Sequence, residues 1–171
     1  MIARCFIALE LGETALEAVA EAQGLLDGDL VRKVAVDALH VTVKFLGDVS
    51  IEEVAQPLFE TLAALVVATP APPLGEARLD GFPAPGRANV VVLSCSDPEL
   101  RVAGLAARAG LDEERAFHPH ITVARGKGVD VRKLVKRYGA RPLGLPTRLT
   151  LFQSDKTVYT PLASVAYSAS K

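Results

Sequence analysis

Tryptophan is absent from this 171-residue chain, the only methionine is its first residue, and asparagine occurs once, at Asn89. So few thermolabile residues fit a thermophile and a GC-rich genome equally well. Cysteine is nearly as scarce, with Cys5 and Cys95 far apart in apolar, strand-like stretches. That excludes a secreted disulfide framework and points to buried thiols in a reducing compartment, with the cytoplasm as the default. An excess of charge of either sign is missing too: 19 Lys and Arg stand against 20 Asp and Glu. No global field gathers a polyanion from a distance, so any phosphate site must be local. No run reaches the roughly 18 apolar residues of a membrane span. The apolar opening is interrupted at Arg4 and has neither a basic leader nor a cleavage signature, so neither membrane insertion nor targeting is expected.

What remains is a globular composition, 50% hydrophobic and 23% charged, which excludes disorder and suits one large domain or two small lobes. The pattern predicts a strand over Ile2–Glu10, a helix over Thr14–Leu26 ended by Gly28, a short strand or bridge over Val31–Val36 and a strand over Leu39–Leu46, with a turn at Gly47-Asp48. Ser50 and Glu53 form a capping box that opens a helix to Val67, and the prolines at 70, 72 and 73 stop it. Strands over Ala77–Phe82 and Asn89–Ser96 flank a Pro/Gly-rich loop at 83–87. Asp97-Pro98 reads as an N-cap and first helical residue for a helix to Ala109. A strand over His120–Arg125 follows, then a short basic helix from Asp130 to Tyr138, and final strands over Arg148–Ser154 and Val158–Tyr167.

Strand, helix, strand, helix, strand thus occurs twice, once in each half. The expected architecture is α+β: a single domain over 1–171 made of two pseudo-symmetric lobes, each an antiparallel sheet with helices on its outer face and a cleft between. The lobes are placed at roughly 1–82 and 88–171, with the terminal strands free to exchange between them.

The duplication carries the chemistry. His40-Val-Thr-Val43 returns as His120-Ile-Thr-Val123, 80 positions later. Residues i and i+2 of a strand share a face, so each motif presents one imidazole and one hydroxyl while its apolar residues turn to the core. Two imidazoles across a cleft suit in-line displacement at phosphorus: a neutral one takes a proton from water, and a charged one delivers a proton to the departing oxygen. Thr42 and Thr122 can donate to the non-bridging phosphate oxygens.

The strings His40-Val-Thr-Val-Lys-Phe-Leu-Gly-Asp48 and Phe117-His-Pro-His-Ile-Thr-Val-Ala-Arg125 resemble the two-histidine (2H) phosphoesterases, in particular the RNA 2′,3′-cyclic phosphodiesterases once named 2′-5′ RNA ligases. The resemblance extends to Phe6-Ile-Ala-Leu-Glu10, Asp80-Gly-Phe-Pro83 and Leu149-Thr-Leu-Phe-Gln-Ser154, and so to nearly the whole chain. It implies a hydrolase without cofactor or metal that opens the 2′,3′-cyclic phosphate at an RNA end, for instance that of a tRNA half, to a 2′-phosphate. The reverse 2′-5′ joining would use the same pair, and the enzyme is expected to act as a monomer. His40 is assigned as acid and His120 as base.

Around these, Lys44 shares the face of His40 by parity, and Arg125, on the other face by strict alternation, would have to curl over the strand end to stack on a base or pair with phosphate. Phe6 and Phe45 read as core, and Arg132, Lys133, Lys136 and Arg137 as a solvated basic face. Two other functional classes stay open. His118 and His120, with His40, can be drawn as a three-histidine zinc hydrolase, and the fold can equally serve as an RNA-end binding module without turnover.

Overall fold

The computed structural model describes residues 1–110 and 117–168. Its elements are β1 (Ile2–Glu10), α1 (Glu13–Leu25), β2 (Val31–Lys33), β3 (His40–Ser50), α2 (Gln56–Ala68), β4 (Glu76–Ala84), β5 (Arg87–Cys95), α3 (Arg101–Arg108), β6 (His120–Val129), α4 (Arg132–Tyr138), β7 (Ala140–Pro142), β8 (Arg148–Asp155) and β9 (Val158–Ala166).

The strands form one antiparallel sheet in the order β7-β4-β5-β6-β3-β1-β8-β9, with β2 added beside β6. One half of the sheet therefore holds β2, β4, β5, β6 and β7, the other β1, β3, β8 and β9. The halves are interwoven in sequence, since the last two strands join the first. They meet at β3 and β6, where a single pair, Val41 with Ile121, is in register. Helix α1 packs on β6 and β7, and α2 on β8 and β9. The core between helices and sheet includes Ile7, Leu9, Val41, Leu62, Leu93, Ile121, Leu149 and Leu151, all fully buried. Alternation aims Val41 and Ile121 into this core and sends the flanking histidines and threonines to the opposite, uncovered face. Among the described residues no helix is long and apolar enough to cross a membrane.

Most predicted elements form, with instructive differences. Gly47-Asp48 is no turn, since β3 continues to Ser50. Gly47, at φ +73, sits beside a register shift against β1, a bulge that glycine accommodates. The 83–87 loop contracts to a tight hairpin turn at Pro85-Gly86. The helix predicted from Pro98 starts at Arg101 instead. Asp97 still caps it, but from further back, its carboxylate accepting from the Val102 and Ala103 amides at 3.0 and 2.9 Å. The Ser50 cap forms as expected, with Oγ accepting from Glu53 N at 3.1 Å, and opens a wide turn over Ile51–Ala55 before α2. Strand β7 has no prediction to match, because three residues that follow a glycine and end in a proline carry too short a pattern to read.

Candidate active site

Val41 and Ile121 occupy equivalent places in the two motifs, so their pairing marks the local pseudo-twofold axis. Continuing that register sets His40 across from Thr122 and Thr42 across from His120. The two histidines then lie on a diagonal, where cross-strand neighbours are roughly 7–8 Å apart. All four side chains line one cleft of about 720 Å³.

The two imidazoles are held alike. His40 Nδ1 lies 2.8 Å from the Ala38 carbonyl, and His120 Nδ1 lies 2.8 Å from the His118 carbonyl. A carbonyl only accepts, so Nδ1 carries the proton in both rings and Nε2 is the nitrogen left for chemistry. His40 Nε2 meets Thr42 Oγ1 at 3.0 Å. Each ring is also backed by aromatics. Phe6 lies 5.0 Å from His40, with Tyr159 edge-on at 5.5 Å, and Phe82 stands edge-on to His120 at 5.7 Å. Burial lowers the His40 pKa below its ordinary 6.5; the hydrogen bond to Ala38 opposes this, while the charges of His120 and Arg125 add to the lowering. An anion in the cleft reverses the last effect.

Arg125 enters the cleft by a route alternation does not foresee. Val91 pairs with Ala124 but the next residue, Val92, pairs with Thr122, so Val123 is an extra residue in β6. Both Val123 and Ala124 are buried, and the bulge turns Arg125 onto the face of His120. Strand β3 does the same at Val43, between the pairs Ala8–Thr42 and Ile7–Lys44. Parity is reversed there too. Phe45, equivalent to Arg125 in the repeat, faces the cleft with 69% of its surface exposed, whereas Phe6 is a buried residue. Lys44 is turned away from the cleft, and its ammonium donates to the Gly110 carbonyl at 3.0 Å. The structure thus brings together His40, His120, Thr42, Thr122 and Arg125, and leaves Lys44 outside.

The three-histidine zinc reading fails on geometry. The His118 side chain is exposed and does not line the cleft, and among the described residues no three His, Cys, Asp or Glu side chains converge to hold a metal. Sequence reasoning missed Arg4, Arg32, Lys33 and Lys156, which join Arg125 so that, among the described residues, five cations line the cleft against one carboxylate, Asp37. A chain of net charge −1 therefore concentrates positive charge where a phosphate would sit.

No family model matches the chain. The RNA 2′,3′-cyclic phosphodiesterase of Escherichia coli K12 is 33% identical over 143 residues, 77% of each chain. The chain belongs to the RNA 2′,3′-cyclic phosphodiesterase family. That of Methanocaldococcus jannaschii is 26% identical over 138 residues, 78% of this chain and 77% of the other. Among solved structures, E. coli LigT complexed with 3′-AMP matches with a TM-score of 0.65 and 28% identity, over 99% of this chain and 100% of that one. A protein of Thermus thermophilus matches with a TM-score of 0.66 and 30% identity, over 95% and 97%. The 2H resemblance read from the paired motifs is borne out, as is the α+β fold.

Proposed function

We propose that this chain hydrolyses the terminal 2′,3′-cyclic phosphate of RNA to a 2′-phosphate, by metal-free acid–base catalysis from His40 and His120. The observation that carries the reading is the symmetric fixing of both rings on one cleft, each with Nδ1 tied to a backbone carbonyl so that Nε2 is the nitrogen for chemistry, that of His40 resting against Thr42 Oγ1 at 3.0 Å. His120 takes the proton of the attacking water. His40, on the opposite side of phosphorus, gives its proton to O3′ as the P–O3′ bond breaks and the phosphate stays on O2′. Each ring ends the cycle in the other's starting state, and one proton exchanged with solvent resets the pair. A lowered pKa makes His40 a stronger acid once charged, and the substrate's own negative charge favours charging it. Thr42 and Thr122 donate to the non-bridging oxygens. The exposed Phe45 ring offers a surface on which a base can stack.

Reverse 2′-5′ joining uses the same pair with roles exchanged. The substrates proposed are RNA ends such as tRNA halves, met by a monomer in the cytoplasm. Two buried free cysteines suit that compartment. The test is incubation with adenosine 2′,3′-cyclic phosphate in the presence of chelator. Appearance of 2′-AMP is expected. Exclusive 3′-AMP overturns the assignment of the leaving oxygen, loss of activity with chelator overturns the metal-free mechanism, and binding without turnover leaves an RNA-end binding module in its place.

A further inference from the structure

Strand β2 is three residues long, yet it is fastened to β6 with care. Val34 N donates to the Val123 carbonyl at 2.9 Å, and the Gln23 side-chain amide, reaching from α1, donates to the Val34 and Val123 carbonyls at 2.9 and 3.0 Å. The carbonyl so gripped belongs to the bulged residue that turns Arg125 into the cleft. The register this enforces sets Arg32 directly across from Arg125. Both guanidinium side chains line the cleft, and neither is in an ion pair among the described residues. Like charges directly opposite one another destabilise an antiparallel pair. Here the fold spends a helix-borne glutamine on holding them together, which is the arrangement a phosphate needs and an empty sheet does not.

We propose that Arg32 and Arg125 form a second phosphate subsite, which takes the 5′-phosphate of the terminal nucleotide while the cyclic phosphate lies between the histidines. The inference rests on the function proposed above for its first phosphate. Arg125 is the next residue after Thr122 to face the cleft along β6, and two strand positions advance about 7 Å. In RNA the 5′-phosphate is joined to the 3′ oxygen through the ribose carbons C3′, C4′ and C5′, a span of the same order. A mononucleotide cyclic phosphate lacks this group, so the subsite makes the enzyme select polymer ends over free nucleotides.

Binding and turnover test it separately. Adenosine 2′,5′-bisphosphate and adenosine 2′-monophosphate are titrated calorimetrically into the wild type, Arg32→Gln and Arg137→Gln, the last removing a positive charge from the exposed face of α4. The bisphosphate is expected to bind the wild type roughly ten- to a hundredfold tighter, as charge-assisted hydrogen bonds to one added phosphate would give. Arg32→Gln collapses that ratio and Arg137→Gln preserves it. The ratio of kcat/KM for the dinucleotide ApA 2′,3′-cyclic phosphate over adenosine 2′,3′-cyclic phosphate follows the same order. Equal binding of the two probes by the wild type, or equal effects of the two substitutions, overturns the subsite. If bisphosphate preference holds while neither cyclic substrate is turned over, the subsite stands and the hydrolytic reading falls.

Discussion

Removing the general acid of a phosphodiesterase hurts most when the leaving group is poor, and this separates the two histidines that pseudo-symmetry makes alike. O3′ of ribose departs as a strongly basic alkoxide unless it is protonated, whereas nitrophenolate departs unaided. Both rings sit half-buried on the cleft wall, so replacement by Ala costs little core packing and should leave the fold intact. For adenosine 2′,3′-cyclic phosphate, His40→Ala and His120→Ala should each lower kcat by roughly 10²–10⁴-fold, the usual scale for a general acid or base, or about 3–5 kcal/mol on the barrier. With bis(p-nitrophenyl) phosphate the two should part. His40→Ala should lose less than about tenfold, because its proton is no longer needed, while His120→Ala keeps its full defect, because water must still be deprotonated. Release of 2′-AMP by chromatography and of nitrophenolate by absorbance give the four ratios. The reverse pattern, rescue of His120→Ala alone, exchanges the roles. Rescue of neither would refute leaving-group protonation by a histidine.

Thr42→Ala and Thr122→Ala should each cost less than either histidine, about 0.5–1.5 kcal/mol for one neutral hydrogen bond, or two- to tenfold in kcat/KM; a larger loss than the histidine variants would demote the acid–base pair. His40 is buried towards its neutral form, so the folded chain takes up that proton at a lower pH than the unfolded chain does. Its contribution to stability is therefore complete above the ordinary 6.5 and is lost as pH falls through the folded value. Urea melts between pH 7.5 and about 5 should show a steeper acid-side decline for the wild type than for His40→Gln, and parallel declines would contradict the burial argument. Gln23→Leu should lower stability by roughly 1–2 kcal/mol through the lost bonds to Val34 and Val123, and it should weaken the preference for the bisphosphate probe; unaltered binding ratios would show that β2 holds its register alone. Burial raises the Cys95 thiol to about 12 and the Cys5 thiol in the same direction, so neither should react with a disulfide reagent at pH 8 until the chain unfolds. Rapid labelling of the native protein would show the core open at β1 or β5.

The central pair was legible because it is written twice. A lone strand histidine is an ordinary residue, but His-x-Thr-x at both 40 and 120 ties two imidazoles and two hydroxyls to equivalent strands before any coordinates are seen. The next strand positions, at 45 and 125, were hidden for one physical reason. Reading a strand assumes a period of two, and a bulge breaks that period without leaving a mark in the composition. Val43 and Val123 are extra residues of this kind. Strict alternation therefore chose Lys44 over Phe45 and reached Arg125 only by a detour, although both cleft residues stand five positions after a histidine. The repeat itself held the missing signal, since equal offsets in two related strands should meet equal backbones. Arg32 was illegible for a different reason: the short strand around it could be read, but its place beside β6 could not, since Gln23 from another element helps to hold it there.

That same repeat fits the division of labour proposed at phosphorus. In-line displacement needs a base where the nucleophile enters and an acid on the far side where the leaving oxygen departs. A twofold axis through the anion supplies two opposed positions from one inherited motif, and the Val41–Ile121 pair places such an axis between the lobes. Strict symmetry would give both rings the same surroundings, whereas the proposed turnover needs one ring charged and the other neutral. The lobes differ where it matters: His40 is packed against Phe6 and Tyr159, while His120 meets the edge of Phe82. Beyond the motifs, one lobe offers the Phe45 ring and the other the Arg125 guanidinium at equivalent positions. The duplicated backbone thus provides the opposition that the proposed reaction requires, and the divergent side chains give the two ends of the cleft different chemistry.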